Sequence, residues 1–261
     1  MEHFVWNANP VLLEVGSLQL RWYGLLFIGS FPVGGVILRW IFSREGKSTA
    51  GVEPLLVLVL IGALVGARLA HCFLYSPAYY LAHPLEVLYI WQGGLASHGG
   101  LVGTVLALVY VSRRYELPLP WLLARVAIPG ALTAACVRLG NFFNSEILGL
   151  PAQVPWAVVF ARVDNIPRHP VQLYESLAYL ALFGLLLLIY RKASSTLATR
   201  LLPPVFLCGL FSARFVLEYF KTRQADYTTD LPFSTGQMLS LPFMAIGVVW
   251  MIWAVRQAKA A

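Results

Sequence analysis

The residues best equipped for chemistry lie in the stretch CVRLGNFFNSEILG, residues 136 to 149. Between Arg138 and Glu146 it sets a guanidinium, the two carboxamides of Asn141 and Asn144 and a carboxylate, punctuated by Gly140 and Gly149. They follow directly on an apolar run from Leu119 to Val137. A charge at the end of such a run is costly, because an apolar surrounding offers it no hydrogen bonds, so these groups are expected to hold something. Arginine stays charged and can grip phosphate oxygens through its planar fork, which points to an anionic ligand.

Comparable residue types recur along the chain. Arg21 and Tyr23 open the first apolar run, Arg68 lies in the second, His98 begins the third in SHGGLVG, and Arg214 precedes Glu218 by four residues in the sixth. RHPVQLYES, residues 168 to 176, adds His169, Gln172, Tyr174 and Glu175 at the start of the fifth, where Pro170 fits a helix beginning. Each has a bland reading. Arginines near helix ends snorkel to the interface, and a histidine at a helix start is often plain hydrogen-bonded structure. Arg214 and Glu218 could pair locally, although Arg before Glu is the weaker orientation. Imidazole suits proton transfer near neutral pH, which makes His98 a candidate for catalysis or substrate contact.

The elements that must position these groups are membrane helices. The chain has 261 residues, 59% hydrophobic and 12% charged, far from the quarter or so of charged residues usual in soluble proteins. Seven runs are long enough to span, at approximately 18–42, 52–74, 93–112, 119–139, 172–190, 201–219 and 237–255. The fold class expected is an all-α polytopic membrane protein, one integral domain over 1–261, with small extracytoplasmic elements in the loops near 75–92 and 140–171. Gly62 with Gly66, and Gly99 with Gly103, form GxxxG pairs expected to bring helices of this chain close together. One set of loops and the C-terminus carries Arg39, Arg44, Lys47, Arg113, Arg114, Arg191, Lys192, Arg200, Arg256 and Lys259. The other carries only Arg162, Arg168, Lys221 and Arg223. The positive-inside rule then places the N-terminus outside and the C-terminus in the cytoplasm.

This topology gives depth to the expensive residues. Arg21, Arg68, Arg138 and Arg214, with Tyr23, His98 and Glu218, all fall toward the outer side, while Arg125 alone lies toward the cytoplasm. Snorkelling does not explain why four of five arginines take the leaflet opposite the positive bias and bring His, Glu, Asn and Tyr with them. The excess of guanidinium over carboxylate predicts an anion there, and in an outer leaflet the abundant amphiphilic anion is a phospholipid headgroup.

Other classes fit less well. A transporter would need polar groups through the full thickness, whereas the cytoplasmic halves of spans 1, 2 and 6 are almost wholly apolar. An intramembrane protease lacks its GxSx motif with a partnering His and its paired aspartates. The net charge of +7 is spread between apolar runs, which speaks against nucleic acid. Cys72, Cys136 and Cys208 sit in different runs without a CxxC, so neither metal nor disulfide is indicated. No Lys or Arg precedes Arg21, so the first run is expected to remain in the mature protein.

At these residues the chain resembles the bacterial prolipoprotein diacylglyceryl transferases. The resemblance is carried by RWYGL at 21–25, SHGGLVG at 97–103, RLGNFFNSEILG at 138–149, RHPVQLYES at 168–176, ARFVLEYF at 213–220 and STGQMLSLP at 234–242. The family usually has glycine immediately before the arginine of the third motif, where this chain has Val137. The resemblance implies transfer of the diacylglyceryl group of phosphatidylglycerol to the lipobox cysteine of a preprolipoprotein. A thioether forms, glycerol phosphate leaves, and no cofactor or metal is called for. It implies a multi-pass protein of the bacterial inner membrane whose site faces the extracytoplasmic side. Residues expected to act in catalysis are His98, Arg138, Arg214 and Glu218. Those expected to bind phosphatidylglycerol are Tyr23, Arg138, Asn141, Asn144, Glu146, Gly149 and Arg214, with Arg138 and Asn141 clamping the headgroup and Glu146 orienting them.

Overall fold

The apolar runs fold as helices because a segment in lipid must satisfy its own backbone hydrogen bonds. The computed structural model describes residues 3–16, 18–90, 93–222 and 233–259. Its long helices are α1 (Trp22–Arg44), α2 (Val52–Ala70), α4 (Ser97–Arg114), α5 (Leu119–Phe143), α6 (Val171–Lys192), α7 (Ser195–Leu217) and α8 (Thr235–Lys259), with a short α3 at Pro77–Ala82. Six stretches are long and apolar enough to cross a membrane: Trp22–Arg44, Thr49–Tyr75, Leu119–Phe143, Val171–Lys192, Ser195–Phe220 and Thr235–Gln257. Helix α4 is the remaining run, expected at 93–112. Its 18 residues would reach about 27 Å, just under a hydrocarbon core of roughly 30 Å, and its glycines and terminal arginines dilute its apolar character.

The first run begins later than its composition suggests. Residues Leu18–Arg21 form strand β3, paired antiparallel with β2 (Val11–Val15) across Gly16, whose φ of 61 is left-handed. The reason is legible in LQLR, which alternates with period two and follows a glycine turn. The helix starts at Trp22, whose amide donates to the Pro10 carbonyl at 3.0 Å.

By its contacts the chain divides into two compact units, residues 1–36 with 124–261, and residues 37–123. In the first, Ser30 of α1 meets Thr133 of α5 at 3.0 Å, and Ser176 of α6 donates to the Ala135 carbonyl at 3.1 Å. Leu182 of α6 lies against Gly209 of α7, and Phe211 of α7 stacks on Phe243 of α8 with centroids 4.4 Å apart. Arg125 is fully buried and donates to Thr199 and Ser195, so it ties α5 to α7. Helix α8 opens with a reciprocal cap: the Gln237 amide donates to Ser234 Oγ, and the Ser234 amide to Gln237 Oε1. A three-stranded sheet, with β1 (Phe4–Trp6) parallel to β4 (Val158–Phe160) and β5 (Pro167–Arg168) antiparallel to β4, caps one end of the helices. Its core is Phe142, Val158 and Phe160 with Trp6 packed against them. Arg168 donates to Asp164 at 2.6 Å, and that bond holds the Asp164 carboxyl below its ordinary range.

The second unit is held by glycine contacts. Gly62 and Gly66 of α2 face Gly99 and Gly103 of α4 so closely that a Cβ on Gly103 would overlap the Gly62 carbonyl, and one on Gly99 the Gly66 carbonyl. The GxxxG pairs therefore join two helices of the same unit, as expected. Gly103→Val should cost about 3 kcal/mol, because backbone rather than a flexible side chain occupies the space. A thermal melt in detergent checks it, and an unchanged midpoint would mean that the helices can part freely.

Arg68 is only 3% exposed, and its guanidinium is consumed by backbone carbonyls: Glu86 at 2.6 Å, Val87 at 3.0 Å and Gly93 at 2.6 Å. Gly93 and Gly94 have φ of 89 and 72, and this left-handed pair turns the chain so that its carbonyls reach Arg68. Arg68 thus secures the segment between α3 and α4.

Candidate functional site

Helix α5 runs about one turn beyond the expected span of 119–139, so Asn141 lies inside its last turn. The chain then reverses sharply, with the Glu146 amide donating to the Asn141 carbonyl at 3.1 Å. Ser145 and Ile147 adopt φ of 53 and 57, a left-handed conformation that a β-branched residue holds only when its surroundings compel it. The compulsion is visible. Asn141 Nδ2 and Asn144 Nδ2 both donate to Glu146 Oε1, at 2.7 and 3.1 Å, and Gln172 of α6 donates to the Glu146 carbonyl at 2.7 Å. An exposed carboxylate is fixed by two amides and a strained turn.

Arg138 stands one turn before Asn141 and donates to its Oδ1 at 3.1 Å. Its Nε lies 3.2 Å from Oε2 of Glu175, close enough for an ion pair, yet Oε2 has no aligned hydrogen bond among the described residues. We take the pair as a charge contact without hydrogen-bond alignment. Glu175 is fully buried, and its Oε1 accepts from Lys221 at 2.9 Å and from Tyr179 at 3.4 Å. Lys221 also donates to Glu218 Oε2 at 3.0 Å. Glu218 in turn accepts from Ser234 Oγ at 3.0 Å, beside Gly236 in the first turn of α8, where the helix dipole favours a carboxylate. One ladder of alternating charge, Arg138, Glu175, Lys221 and Glu218, therefore joins α5, α6, α7 and α8.

Among the described residues Arg214 forms no hydrogen bond or ion pair, although it lies within electrostatic reach of Tyr179. The local Arg214 to Glu218 pairing is not formed, because Glu218 is taken by Lys221 and Ser234. The ring of Tyr23 packs over Gly140, within electrostatic reach of both Arg138 and Glu146.

The first unit thus brings together Tyr23, Arg138, Asn141, Asn144 and Glu146, with Arg214 and Glu218 joined through Tyr179, Glu175 and Lys221. Gly149 is engaged by backbone: it bridges to Lys221, its carbonyl accepts from Arg168 at 3.2 Å, and a Cβ would strike His169. His98 belongs to the second unit. It is exposed, its ring is 5.9 Å from that of Tyr75, and it makes no hydrogen bond among the described residues. It lines an apolar groove of about 650 Å³ between α2 and α4.

Three expectations need correction. Arg68 is spent on carbonyls and is unavailable to a ligand. Arg21 is exposed on β3 and bonds Gln19 at 3.3 Å, outside any span. The excess of guanidinium is also smaller than it looked: at this end of the first unit Arg138, Arg214 and Lys221 meet Glu146, Glu175 and Glu218. Cations and carboxylates are therefore balanced in number here, with Arg214 unpaired among the described residues and Arg138 touched by Glu175 at the edge of its guanidinium. Glu175 is named in the sequence only as part of the motif that opens the fifth run and carries no assigned role there, and Lys221 carries none either. Lys221 was counted as a loop charge but is 8% exposed, and Arg223, counted beside it, lies outside the described residues. The available signal was Glu175 itself, an acid inside an apolar run that requires a cation.

Fold and site together define a multi-pass membrane protein with a partly paired cluster of three cations and three carboxylates at one end of the helices of its first unit. Sequence comparison narrows that class. The profile of the prolipoprotein diacylglyceryl transferase family matches residues 10–253. The chain is 48% identical to the phosphatidylglycerol–prolipoprotein diacylglyceryl transferase of Chloroherpeton thalassium, over 98% of this chain and 96% of that protein. It is 47% identical to that of Tolumonas auensis, over 97% and 98%, and 39% identical to that of Porphyromonas gingivalis, over 96% and 94%. The chain belongs to the prolipoprotein diacylglyceryl transferase family, and it is a membrane transferase.

Proposed function

We infer that this protein moves the diacylglyceryl group of phosphatidylglycerol onto the cysteine thiol of a preprolipoprotein lipobox. The sulfur forms a bond to the glyceryl carbon, the carbon–oxygen bond to phosphate breaks, and glycerol phosphate leaves with that electron pair. The thiol proton passes to a base or to the departing phosphate. A thiol with pKa near about 8.5 is mostly protonated at neutral pH, so the step needs help with that proton. It also needs positive charge on the oxygen that accumulates charge as the bond breaks.

The observation that carries this reading is Arg138, held by Asn141 on one side and touched at its edge by Glu175, with Arg214 on α7 unpaired among the described residues. Guanidinium has five N–H donors, and the partners of Arg138 leave donors for a phosphate. Tyr23, Asn144 and Glu146 frame the headgroup. Glu218 acts through Lys221 and the start of α8, and Gly149 shapes the turn that carries Glu146. His98 serves the thiol. No cofactor or metal is required by this chemistry.

The test is transfer by purified protein from labelled phosphatidylglycerol to a lipobox peptide. A thioether on the cysteine peptide and none on its serine analogue is the expected outcome, and no product on either would refute the assignment. The site is proposed to face outward from a bacterial inner membrane, N-terminus outside. In a cysteine-free background, Tyr80→Cys and Arg162→Cys should label with impermeant thiol reagents in intact cells, whereas Lys47→Cys, Arg113→Cys and Lys192→Cys should not. The reverse pattern would invert the topology.

A further inference from the structure

We propose that Lys221 is a positioning residue for Arg138: its ammonium occupies one oxygen of Glu175 and so keeps the arginine fork from closing onto that carboxylate. A buried carboxylate facing a single arginine tends to take two parallel N–H bonds from it, which would neutralise the guanidinium and turn its fork away from any ligand. Here Oε1 of Glu175 is occupied by Lys221 at 2.9 Å and by the Tyr179 hydroxyl at 3.4 Å. Only Oε2 is left for Arg138, at 3.2 Å from Nε and without hydrogen-bond alignment, while the terminal nitrogen of Arg138 turns to Asn141. Two cations share one acid, so Arg138 is anchored without being silenced.

Lys221 is well fixed for this task. Its backbone bridges to Gly149, the neighbouring Leu150 amide donates to the Phe220 carbonyl at 2.7 Å, and the Thr222 amide donates to the Leu148 carbonyl at 3.0 Å. The ammonium is therefore registered to the turn that carries Glu146. Glu218, its second partner, keeps the Ser234 hydroxyl and the α8 terminus whether or not Lys221 is present. Loss of the lysine falls on Glu175, and through Glu175 on Arg138.

The inference rests on Arg138 as the phosphate clamp of the proposed reaction, and a double-mutant cycle on the full-length protein tests it. Lys221→Met should raise KM for phosphatidylglycerol about tenfold or more with a smaller change in kcat, and Lys221→Arg should stay within about threefold of wild type. In a Glu175→Gln background, where no carboxylate remains to capture Arg138, Lys221→Met should cost less than about threefold further. Losses of equal size in both backgrounds would overturn the proposal and leave Lys221 a staple between Glu218 and the Gly149 turn. If Lys221→Met alone does not fold, Glu175→Gln against the double variant decides: equal activity supports the proposal and a further loss overturns it. Calorimetric binding of glycerol 1-phosphate to the same proteins repeats the cycle without turnover. Failure of wild type to transfer would then refute the proposed reaction, while the cycle itself remains readable.

Discussion

Arg138→Ala is expected to abolish transfer while leaving a folded protein in the membrane. The fold should survive because each partner of Arg138 keeps another: Glu175 retains Lys221 and Tyr179, and Asn141 retains Glu146. Catalysis should not survive, because among the described residues the guanidinium is the only cation hydrogen-bonded into the Asn141 and Glu146 framework. One charged hydrogen bond in a shielded site contributes on the order of 1.5 to 3 kcal/mol. Two made chiefly to the departing phosphate would account for roughly a hundredfold to ten-thousandfold in rate. Arg138→Lys separates geometry from charge. Lysine keeps the charge but loses the planar fork, so a forked clamp predicts a defect near that of alanine and a diffuse electrostatic role predicts a mild one. Near wild-type turnover by equal amounts of folded alanine variant would return Arg138 to an interfacial role.

The second large effect concerns His98. The bland account of this residue is a ring hydrogen-bonded at a helix start, whereas among the described residues the exposed side chain makes no hydrogen bond and has Tyr75 as its one ring neighbour. His98→Gln should therefore leave stability nearly unchanged and lower turnover at pH 7 by about a hundredfold or more. The deficit should shrink at alkaline pH. A thiol of pKa near about 8.5 goes from roughly 3% thiolate at pH 7 to roughly 75% at pH 9, so an enzyme lacking its proton acceptor should recover about twentyfold over that interval. The sign matters, since loss of a lipid-contacting residue would show as an equal deficit at both values. Peptide concentration must be saturating for this comparison, so that kcat rather than binding is read.

What the sequence disclosed and what it hid divide along a physical line. Spans are legible because lipid imposes length and apolarity on every residue of a helix, and the GxxxG contacts because only a small residue allows such approach. The Arg138 to Glu146 cluster is legible because its members fall within nine consecutive positions, close enough for local geometry to imply contact. Glu175 and Lys221 are 46 residues apart, and no local rule pairs them; burial converted an apparent loop lysine into the inner rung of a charge ladder. Arg68 misled for a related reason. A guanidinium in an apolar run signals a need for acceptors, but backbone carbonyls satisfy that need as well as a ligand does. At Leu18–Arg21 the alternation of LQLR was overlooked because it abuts a long apolar helix, and composition outweighed period.

The carbonyl clamp of Arg68 has a consequence for how the chain is made. Its acceptors lie 18, 19 and 25 residues downstream, at Glu86, Val87 and Gly93. While α2 emerges during synthesis, none of them yet exists, and the guanidinium near its end has no protein group to meet. Only when translation has passed Gly94 can the charge be sheathed, and by then α4 is the next segment to emerge, ready to lay its glycines against those of α2. Leaving the insertion machinery one helix at a time would expose a naked cation to lipid, so α2 and α4 are best released as a hairpin, with Arg68 as the latch that marks its completion.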